Sequence, residues 1–153
     1  MKKWHLKGFE ELQIEEFYKM IALRIEVFII EQNCPYQELD GKDQKSQHLI
    51  CEEGGEIIAT ARIVGPGVSY QEPSIGRVVI TEEARGSGLG HELMRQAMAA
   101  SEKMYGNRTI RLSAQEYLIN FYKKHRFEVV SDVYLEDNIP HVEMLFTPKN
   151  DTQ

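Results

Sequence analysis

The sequence is poor in positive charge and contains no long apolar run. Its 153 residues include 18 lysines and arginines against 24 aspartates and glutamates, a net charge of −6 at pH 7. A protein that binds nucleic acid through the phosphates needs the opposite balance, so general nucleic-acid binding is disfavoured. No stretch approaches the roughly 18 apolar residues of a membrane span, and the first residues lack the apolar core of a signal peptide. We therefore expect a cytoplasmic protein without membrane contact.

Cysteine is also scarce. The two cysteines, Cys34 and Cys51, have neither a C-x-x-C spacing nor the clustered histidines of a zinc site. A stable disulfide is not expected in a cytoplasmic protein. The sequence therefore predicts no metal site and no disulfide.

The rest of the composition is that of an ordinary globular domain. Hydrophobic residues make up 42% of the chain and charged residues 27%, both close to the average for globular proteins. No repeat, linker or low-complexity segment interrupts the chain before its polar end. With this length, we expect one domain over residues 1–147 followed by a polar tail at residues 148–153.

Periodicity along the chain predicts a mixed α/β order. Apolar residues from Ile14 to Ile29 recur at spacings of three and four, which predicts a helix. Residues 33–45 read as a long polar loop, and such loops often line substrate sites. Gly54-Gly55 separates two β-rich runs and signals a hairpin. The second half reads as a strand, a glycine-rich loop, a helix, a strand, a helix and closing strands.

The glycine-rich loop, Arg85 to Gly90, reads RGSGLG and leads from a strand into a helix. A dinucleotide-binding loop would have a third glycine where His91 stands, and a P-loop would have a lysine after its last glycine. Two readings remain. The glycines can form a tight turn, or they can let a phosphate approach amides at a helix N-terminus, where the helix dipole favours anions. Three glycines with Arg85 beside them favour a pyrophosphate cradle.

Three segments together resemble a known family. The strand that contains Val78, Val79 and Ile80, followed by Arg85-x-x-Gly88-x-Gly90, resembles the pyrophosphate motif of the GNAT superfamily of N-acetyltransferases. The segment NFYKKHRF resembles the Tyr-x-x-x-Gly-Phe element that closes their acetyl-CoA site. Within the superfamily, EVFIIEQNCPYQELDGKD and YLEDNIPHVEM resemble the ElaA-like branch. The resemblance covers residues 3–147.

The resemblance implies a fold and an activity. The fold would be α/β (α+β), with a single mixed central sheet of about six to seven strands flanked by helices and splayed between the fourth and fifth strands. The activity would be transfer of an acetyl group from acetyl-CoA to an amine of a small molecule or peptide, without a metal. The acceptor and the oligomeric state are left open, a homodimer being one option.

The resemblance also implies which residues hold the acetyl-CoA. The strand main chain would pair with the pantetheine arm, the glycine loop would hold the pyrophosphate, and two further side chains would approach the thioester. The strand residues are Val78, Val79 and Ile80. The loop residues are Arg85, Gly86, Ser87, Gly88, Leu89 and Gly90. The two side chains near the thioester are Gln115 and Tyr122. Arg126 departs from the family pattern, because it stands where a glycine usually ends the helix in a left-handed conformation.

Acetyl transfer to an amine needs an acid for the departing thiolate and a base for the amine. Tyr122 falls at the usual position of the acid. Glu31, beside the long polar loop, and His141, in the closing strand, are alternative bases. A solvated carboxylate and a packed histidine are the simpler readings of the last two.

Four residues of the first half allow other readings. Asp40 and Asp43 can bind a cationic acceptor or simply form a turn, and Arg24 can pair with one of them. Together with Phe28, these residues loosely resemble acyl-homoserine lactone synthases, which use the same fold. A third hypothesis is a sensor that binds acyl-CoA and transfers nothing.

Overall fold

The computed structural model describes residues 1–149, and these contain eight strands and three α-helices. Most of the polar tail that we predict, at residues 150–153, lies outside the described part. The strands are β1 (Lys2–Gly8), β2 (Ser46–Glu53), β3 (Glu56–Val64), β4 (Ser74–Ile80), β5 (Ile110–Gln115), β6 (Phe127–Val129), β7 (Tyr134–Glu136) and β8 (Ile139–Phe146). The helices are α1 (Ile14–Ile25), α2 (Leu89–Tyr105) and α3 (Ile119–Lys123).

Helix α1 begins where the sequence predicts and then changes its winding. Glu16 accepts a hydrogen bond from the amide of Gln13, which satisfies one of the free N–H groups at the helix start. After Ile25 the chain continues as a π-helix over Glu26–Glu31. A π-helical turn has one more residue than an α-turn and often marks a functional site.

The apolar stripe of α1 is only partly buried. Ile14 and Tyr18 are 89% and 75% exposed, whereas Met20 and Arg24 are fully buried. The predicted stripe is therefore wrong at Ile14 and Tyr18, whereas Phe17 and Ile21 pack against buried residues. The reason is electrostatic, because carboxylates in the following loop draw Arg24 inward and so turn that face of the helix toward the sheet.

The first sheet has the order β1-β2-β3-β4, and all its neighbours are antiparallel. Strands β2 and β3 form the predicted hairpin. Its glycines, Gly54 and Gly55, both have positive φ, as a tight hairpin turn requires. Between Gly76 and Val79, strand β4 has one residue more than the stretch of β3 that it pairs with. Arg77 lies in this stretch and has a φ of 51°. This β-bulge bends β4 away from its neighbour.

The second sheet has the order β5-β8-β6, with β7 paired to the other part of β8. The two sheets meet where the amide of Arg111 donates to the carbonyl of Pro73 at 3.1 Å. Beyond that contact β4 and β5 form no hydrogen-bonded ladder in the described residues. The expected α/β fold and the splay between the fourth and fifth strands are confirmed. The expected single sheet of six to seven strands is instead two sheets with eight strands.

Short elements account for the difference in strand count. Strand β7 has three residues and ends in the charged Glu136, so alternation gives it little signal. Helix α3 is also shorter than expected, with a 3₁₀ turn at Glu116–Leu118 before it. Arg126, after α3, has a φ of 70° and therefore takes the left-handed conformation in which glycine is usual. Its guanidinium lies 5.3 Å from the centre of the Phe146 ring.

The main core lies between the two sheets and helices α2 and α3. Its buried members include Leu93, Ala97, Leu112, Phe127 and Met144. Because this core fills one side of the sheets, the open side of the splay stays available to a ligand. No helix within residues 1–149 combines the length and apolar character needed to cross a membrane.

Candidate active site

The splay leaves two strand edges facing each other. Strand β4 is the last strand of the first sheet, and β5 is the first strand of the second. Each therefore presents backbone N–H and C=O groups that no neighbouring strand pairs along that edge. An extended ligand can add to such an edge as an extra strand would. Of the strand residues predicted to hold the pantetheine arm, Val78 lines the cavity described below, Val79 is buried, and Ile80 packs against the core.

The glycine loop joins β4 to α2. Gly86 and Gly88 have φ values of 81° and 86°, a conformation that side chains disfavour, and a Cβ atom on either would meet nothing within 4 Å. Gly90 lies in the first turn of α2, where a Cβ would lie 3.4 Å from the Phe121 ring. Turn geometry thus accounts for two glycines and helix packing for the third, while open space remains above the loop.

The glycine loop leads directly into the start of a long helix. Leu89 begins α2, and the Ser87 hydroxyl lies 3.4 Å from its amide nitrogen and donates to the carbonyl of Ala84. The 17 residues of α2 place the positive end of the helix dipole at the loop. An anion above the exposed glycines would meet both the amides and this dipole.

Arg85 already has a partner in this structure. Its two terminal nitrogens donate to the Glu31 carboxylate at 2.5 and 3.0 Å. The Arg85 hydrogen bonds hold the pKa of Glu31 below its ordinary value, so Glu31 is a weaker base than a free glutamate. Glu31 also lies outside the lining of the cavity that contains His141. The structure therefore separates the two candidate bases.

A cavity of about 500 Å³ opens between the two sheets and the loop at residues 33–45. Four of the predicted site residues line it, namely Val78, Gln115, Tyr122 and His141. The residues from Arg85 to Gly90 are outside this lining, as expected if the loop held a distant part of an extended ligand. The amide nitrogen of Gln115 donates to Gln32 at 3.2 Å, which joins β5 to the end of the π-helix.

Tyr122 is 7% exposed and burial raises its pKa well above the ordinary value of a phenol. Its ring packs edge-on against Phe121 and Phe127, with ring centres 5.1 and 6.1 Å apart. Its hydroxyl makes no hydrogen bond with any residue in the described part of the chain, although the residue lines the cavity. The hydroxyl is therefore protonated at neutral pH and available to a ligand.

His141 is also 7% exposed, and the hydrogen bond at one ring nitrogen defines its tautomer. Nδ1 lies 2.7 Å from the carbonyl oxygen of Ile139, and a carbonyl only accepts, so Nδ1 carries the proton. In the neutral ring, Nε2 is then unprotonated. It lies 3.8 Å from a carboxylate oxygen of Glu136 and lines the cavity. A nitrogen that faces the cavity with a free lone pair is what a general base requires.

Asp40 and Asp43 serve a different role from acceptor binding. Arg62 donates to Asp40 at 2.8 and 2.9 Å, and Arg24 donates to Asp43 at 3.0 Å and to Glu38 at 2.6 Å. The expected pairing of Arg24 with an acid is confirmed. Asp43 is buried and outside the cavity lining, whereas Asp40 lines the cavity but already accepts hydrogen bonds from arginine, so a cationic acceptor would compete with that arginine.

This buried ion-pair network includes residues that the sequence reading missed. Arg77 donates to both a side-chain and a backbone oxygen of Glu38, at 2.8 and 3.0 Å. Tyr36 donates to the other oxygen of Glu38 at 2.5 Å. The network attaches the polar loop to the bulge of β4 and so forms one wall of the cavity. Arginines within otherwise apolar strands are the signal that could have revealed it.

The opposite wall contains Ser113 and Glu136, and Tyr134 contacts this wall from outside the lining; the sequence reading missed all three residues. The Ser113 hydroxyl lies 2.5 Å from the Tyr134 hydroxyl and 3.1 Å from Glu136. Tyr134 stacks on His141, with ring centres 6.2 Å apart. These contacts hold β5, β7 and β8 together beside the candidate base. Alternation along YLEDNIPHVEM is the only sequence signal for this wall.

The site combines two splayed strand edges, a glycine loop at a helix start and a cavity at the splay. Together these features are those of acyltransferases that use an extended thioester donor. Residues 7–147 match the family Acetyltransferase (GNAT) domain, and the chain belongs to that family, in its ElaA-like branch. Protein ElaA of Escherichia coli K12 is 36% identical over 94% of this chain and 95% of its own.

Solved structures agree with this assignment. The crystal structure of Escherichia coli ElaA has a TM-score of 0.89, with 34% identity over 95% of this chain and 99% of that one. An acyl-CoA N-acyltransferase from Pseudomonas aeruginosa has a TM-score of 0.91, with 40% identity over 96% of this chain and 100% of that one. The fold and family are those of acyl-CoA-dependent N-acyltransferases.

Proposed function

We propose that this protein transfers the acetyl group of acetyl-CoA to an amine by direct attack of the amine on the thioester. The observation that carries the proposal is the position of Tyr122 and His141. Both line one cavity at the splay, and each has a polar atom free of any strong protein partner in the described residues. The Tyr122 hydroxyl can give a proton, and Nε2 of a neutral His141 ring can accept one.

The proposed donor site follows the chain from β4 into α2. The unpaired edge of β4 near Val78 takes the pantetheine arm. The amides from Gly86 to Gly90 take the pyrophosphate. The Arg85 amide already donates to the Glu82 carbonyl, so Arg85 contributes its side chain, which leaves Glu31 to pair with the pyrophosphate. Gln115, at the end of β5, lies close enough to the cavity to contact the thioester end. Val79, Ile80, Ser87 and Leu89 contribute backbone rather than side chains.

The proposed reaction has three proton transfers. His141 Nε2 takes one proton from the ammonium form of the acceptor, and the lone pair of the neutral amine then attacks the thioester carbonyl carbon. When the carbon–sulfur bond breaks, the Tyr122 hydroxyl gives its proton to the sulfur and regains one from the newly acylated nitrogen, so the products are the amide, the CoA thiol and a protonated His141. We favour His141 over Glu31 as the base, because Arg85 lowers the pKa of Glu31 and draws its carboxylate away from the cavity.

An acceptor screen tests the proposal. Purified protein is incubated with acetyl-CoA and a panel of primary amines, and free CoA thiol is followed. We expect thiol release that depends on both the amine and the protein. If calorimetry shows acetyl-CoA binding but no amine releases thiol, the protein is a sensor and the proposed transfer is wrong. If acetyl-CoA does not bind, the donor site is wrong as well.

A further inference from the structure

The cavity contains an acidic side chain next to the proposed base. Glu136 Oε2 lies 3.8 Å from His141 Nε2, while Glu136 Oε1 accepts a hydrogen bond from Ser113 at 3.1 Å. No lysine or arginine of the described residues pairs with this carboxylate. Its side chain is 49% exposed and lines the cavity, whereas the His141 side chain is only 9% exposed.

The other acids of this region are already neutralised. Glu38, Asp40 and Asp43 face three arginines within the buried ion-pair network, which leaves that wall without unmatched negative charge. Glu136 therefore contributes a negative charge that no lysine or arginine of the described residues pairs with directly, and Lys42 is the cavity-lining cation outside the ion-pair network. Asp137, the next residue, also lines the cavity and adds to the same field.

The local backbone keeps Glu136 beside His141. The turn between β7 and β8 has positive φ at both Asp137 and Asn138, 51° and 63°, the conformation of a tight two-residue hairpin turn. In this register Glu136 faces Ile139 and Tyr134 faces His141 across the two strands. The carboxylate and the ring are therefore positioned by the hairpin.

We propose that Glu136 is a specificity-determining residue that selects acceptors entering as a primary alkylammonium ion with no carboxylate on the same carbon. This inference rests on the proposed function and names its acceptor class. A free alkylamine titrates near 10, so it reaches the site charged at neutral pH. Its three N–H donors can serve the Glu136 carboxylate and His141 Nε2 together. An α-amino acid would bring its own carboxylate next to Glu136 and Asp137, where like charges repel.

The same carboxylate assists the proton transfer. The N–H bond of the ammonium breaks, and an Nε2–H bond forms on His141. The positive charge passes from the amine to the imidazole ring and stays next to Glu136 throughout. The amine keeps the electron pair of the broken bond and uses it to attack the thioester carbon.

Glu136→Gln tests the proposal, because glutamine keeps the size and can still accept the hydrogen bond from Ser113. Glu128→Gln is the matched control, since Glu128 lies on β6, is exposed, and is outside the cavity lining. The probes are 1,4-diaminobutane and glycine, each measured by CoA release with acetyl-CoA and by calorimetric binding to the protein loaded with CoA.

We expect 1,4-diaminobutane to bind and to be acetylated, and glycine to do neither. Glu136→Gln should raise the KM and the Kd for the diamine about 10- to 100-fold, as expected for loss of a hydrogen bond to a charged group. The kcat should change less, and Glu128→Gln should match the wild type. Glycine as the better acceptor, or an unchanged KM and Kd in Glu136→Gln, would overturn the proposal.

The two readouts separate this inference from the proposed function. If the diamine binds through Glu136 but no CoA is released, the binding site stands and the transfer activity is wrong. If the diamine is acetylated equally well by Glu136→Gln, the transfer activity stands and the role of Glu136 is wrong. If the diamine neither binds nor reacts, this inference is wrong whatever other amine the protein accepts.

Discussion

Tyr122→Phe is the sharpest test of the proposed chemistry. The substitution keeps the ring, and with it the edge-on contacts to Phe121 and Phe127 at 5.1 and 6.1 Å. The hydroxyl makes no hydrogen bond within residues 1–149, so its loss leaves no protein group unpaired there. We therefore expect the free energy of unfolding to change by less than about 1 kcal/mol.

The rate should respond very differently. Burial raises the pKa of Tyr122, so the hydroxyl stays protonated throughout the physiological range. A thiolate that leaves beside the buried Tyr122 ring would lose part of its hydration, which raises the pKa of the thiol and favours proton transfer from a phenol. General-acid catalysis contributes about 10²- to 10⁴-fold, equivalent to roughly 3 to 5 kcal/mol of barrier. We expect kcat to fall by that factor.

The assay is CoA release at saturating acetyl-CoA, with acetyl-CoA affinity from calorimetry and the melting temperature measured on the same samples. Tyr105→Phe is the control, because Tyr105 lies at the end of α2 and does not line the cavity. It should keep the wild-type kcat. Wild-type kcat in Tyr122→Phe, with unchanged affinity and stability, would refute the assignment of Tyr122 as the acid.

Three further predictions concern the ion pairs. Glu31→Gln removes the partner of Arg85, so acetyl-CoA should bind up to about fivefold more tightly in calorimetric titration; weaker binding would contradict a competition between Glu31 and the pyrophosphate. Arg24→Met breaks the buried ion pairs with Glu38 and Asp43. The free energy of unfolding measured in urea should therefore fall by about 3–5 kcal/mol, and a fall of less than about 1 kcal/mol would argue against the network. Burial alone would raise the pKa of Asp40 and of Asp43, but the arginine contacts outweigh it and lower both. The stability that these two carboxylates contribute is present above about pH 4 and is lost as the pH falls toward their folded-state pKa values. The melting temperature should therefore drop between pH 4 and pH 2. A flat profile over this range would contradict the prediction.

Sequence patterns determined the order of elements wherever the signal is local. Gly54-Gly55 predicted the β2–β3 hairpin, because a two-residue turn needs positive φ at both positions. The glycine loop before α2 was predicted for a similar reason. The family motif also marked Arg126 as a residue at a left-handed position, which the structure confirms. Each of these features depends on a few consecutive residues.

The candidate site depends on contacts between residues that are distant along the chain. Glu31 and Arg85 are 54 positions apart, and Ser113 and Glu136 are 23 positions apart, so no local pattern predicts either contact. The sequence suggested that Arg24 pairs with Asp40 or Asp43, but not which of the two, nor that Glu38 shares the pairing. Only packing of the two sheets against α1 and α2 brings these groups together. Tertiary structure therefore decided which acids pair with arginines and which one lies beside His141 without an arginine or lysine partner, because pairing depends on distance and burial rather than on residue type.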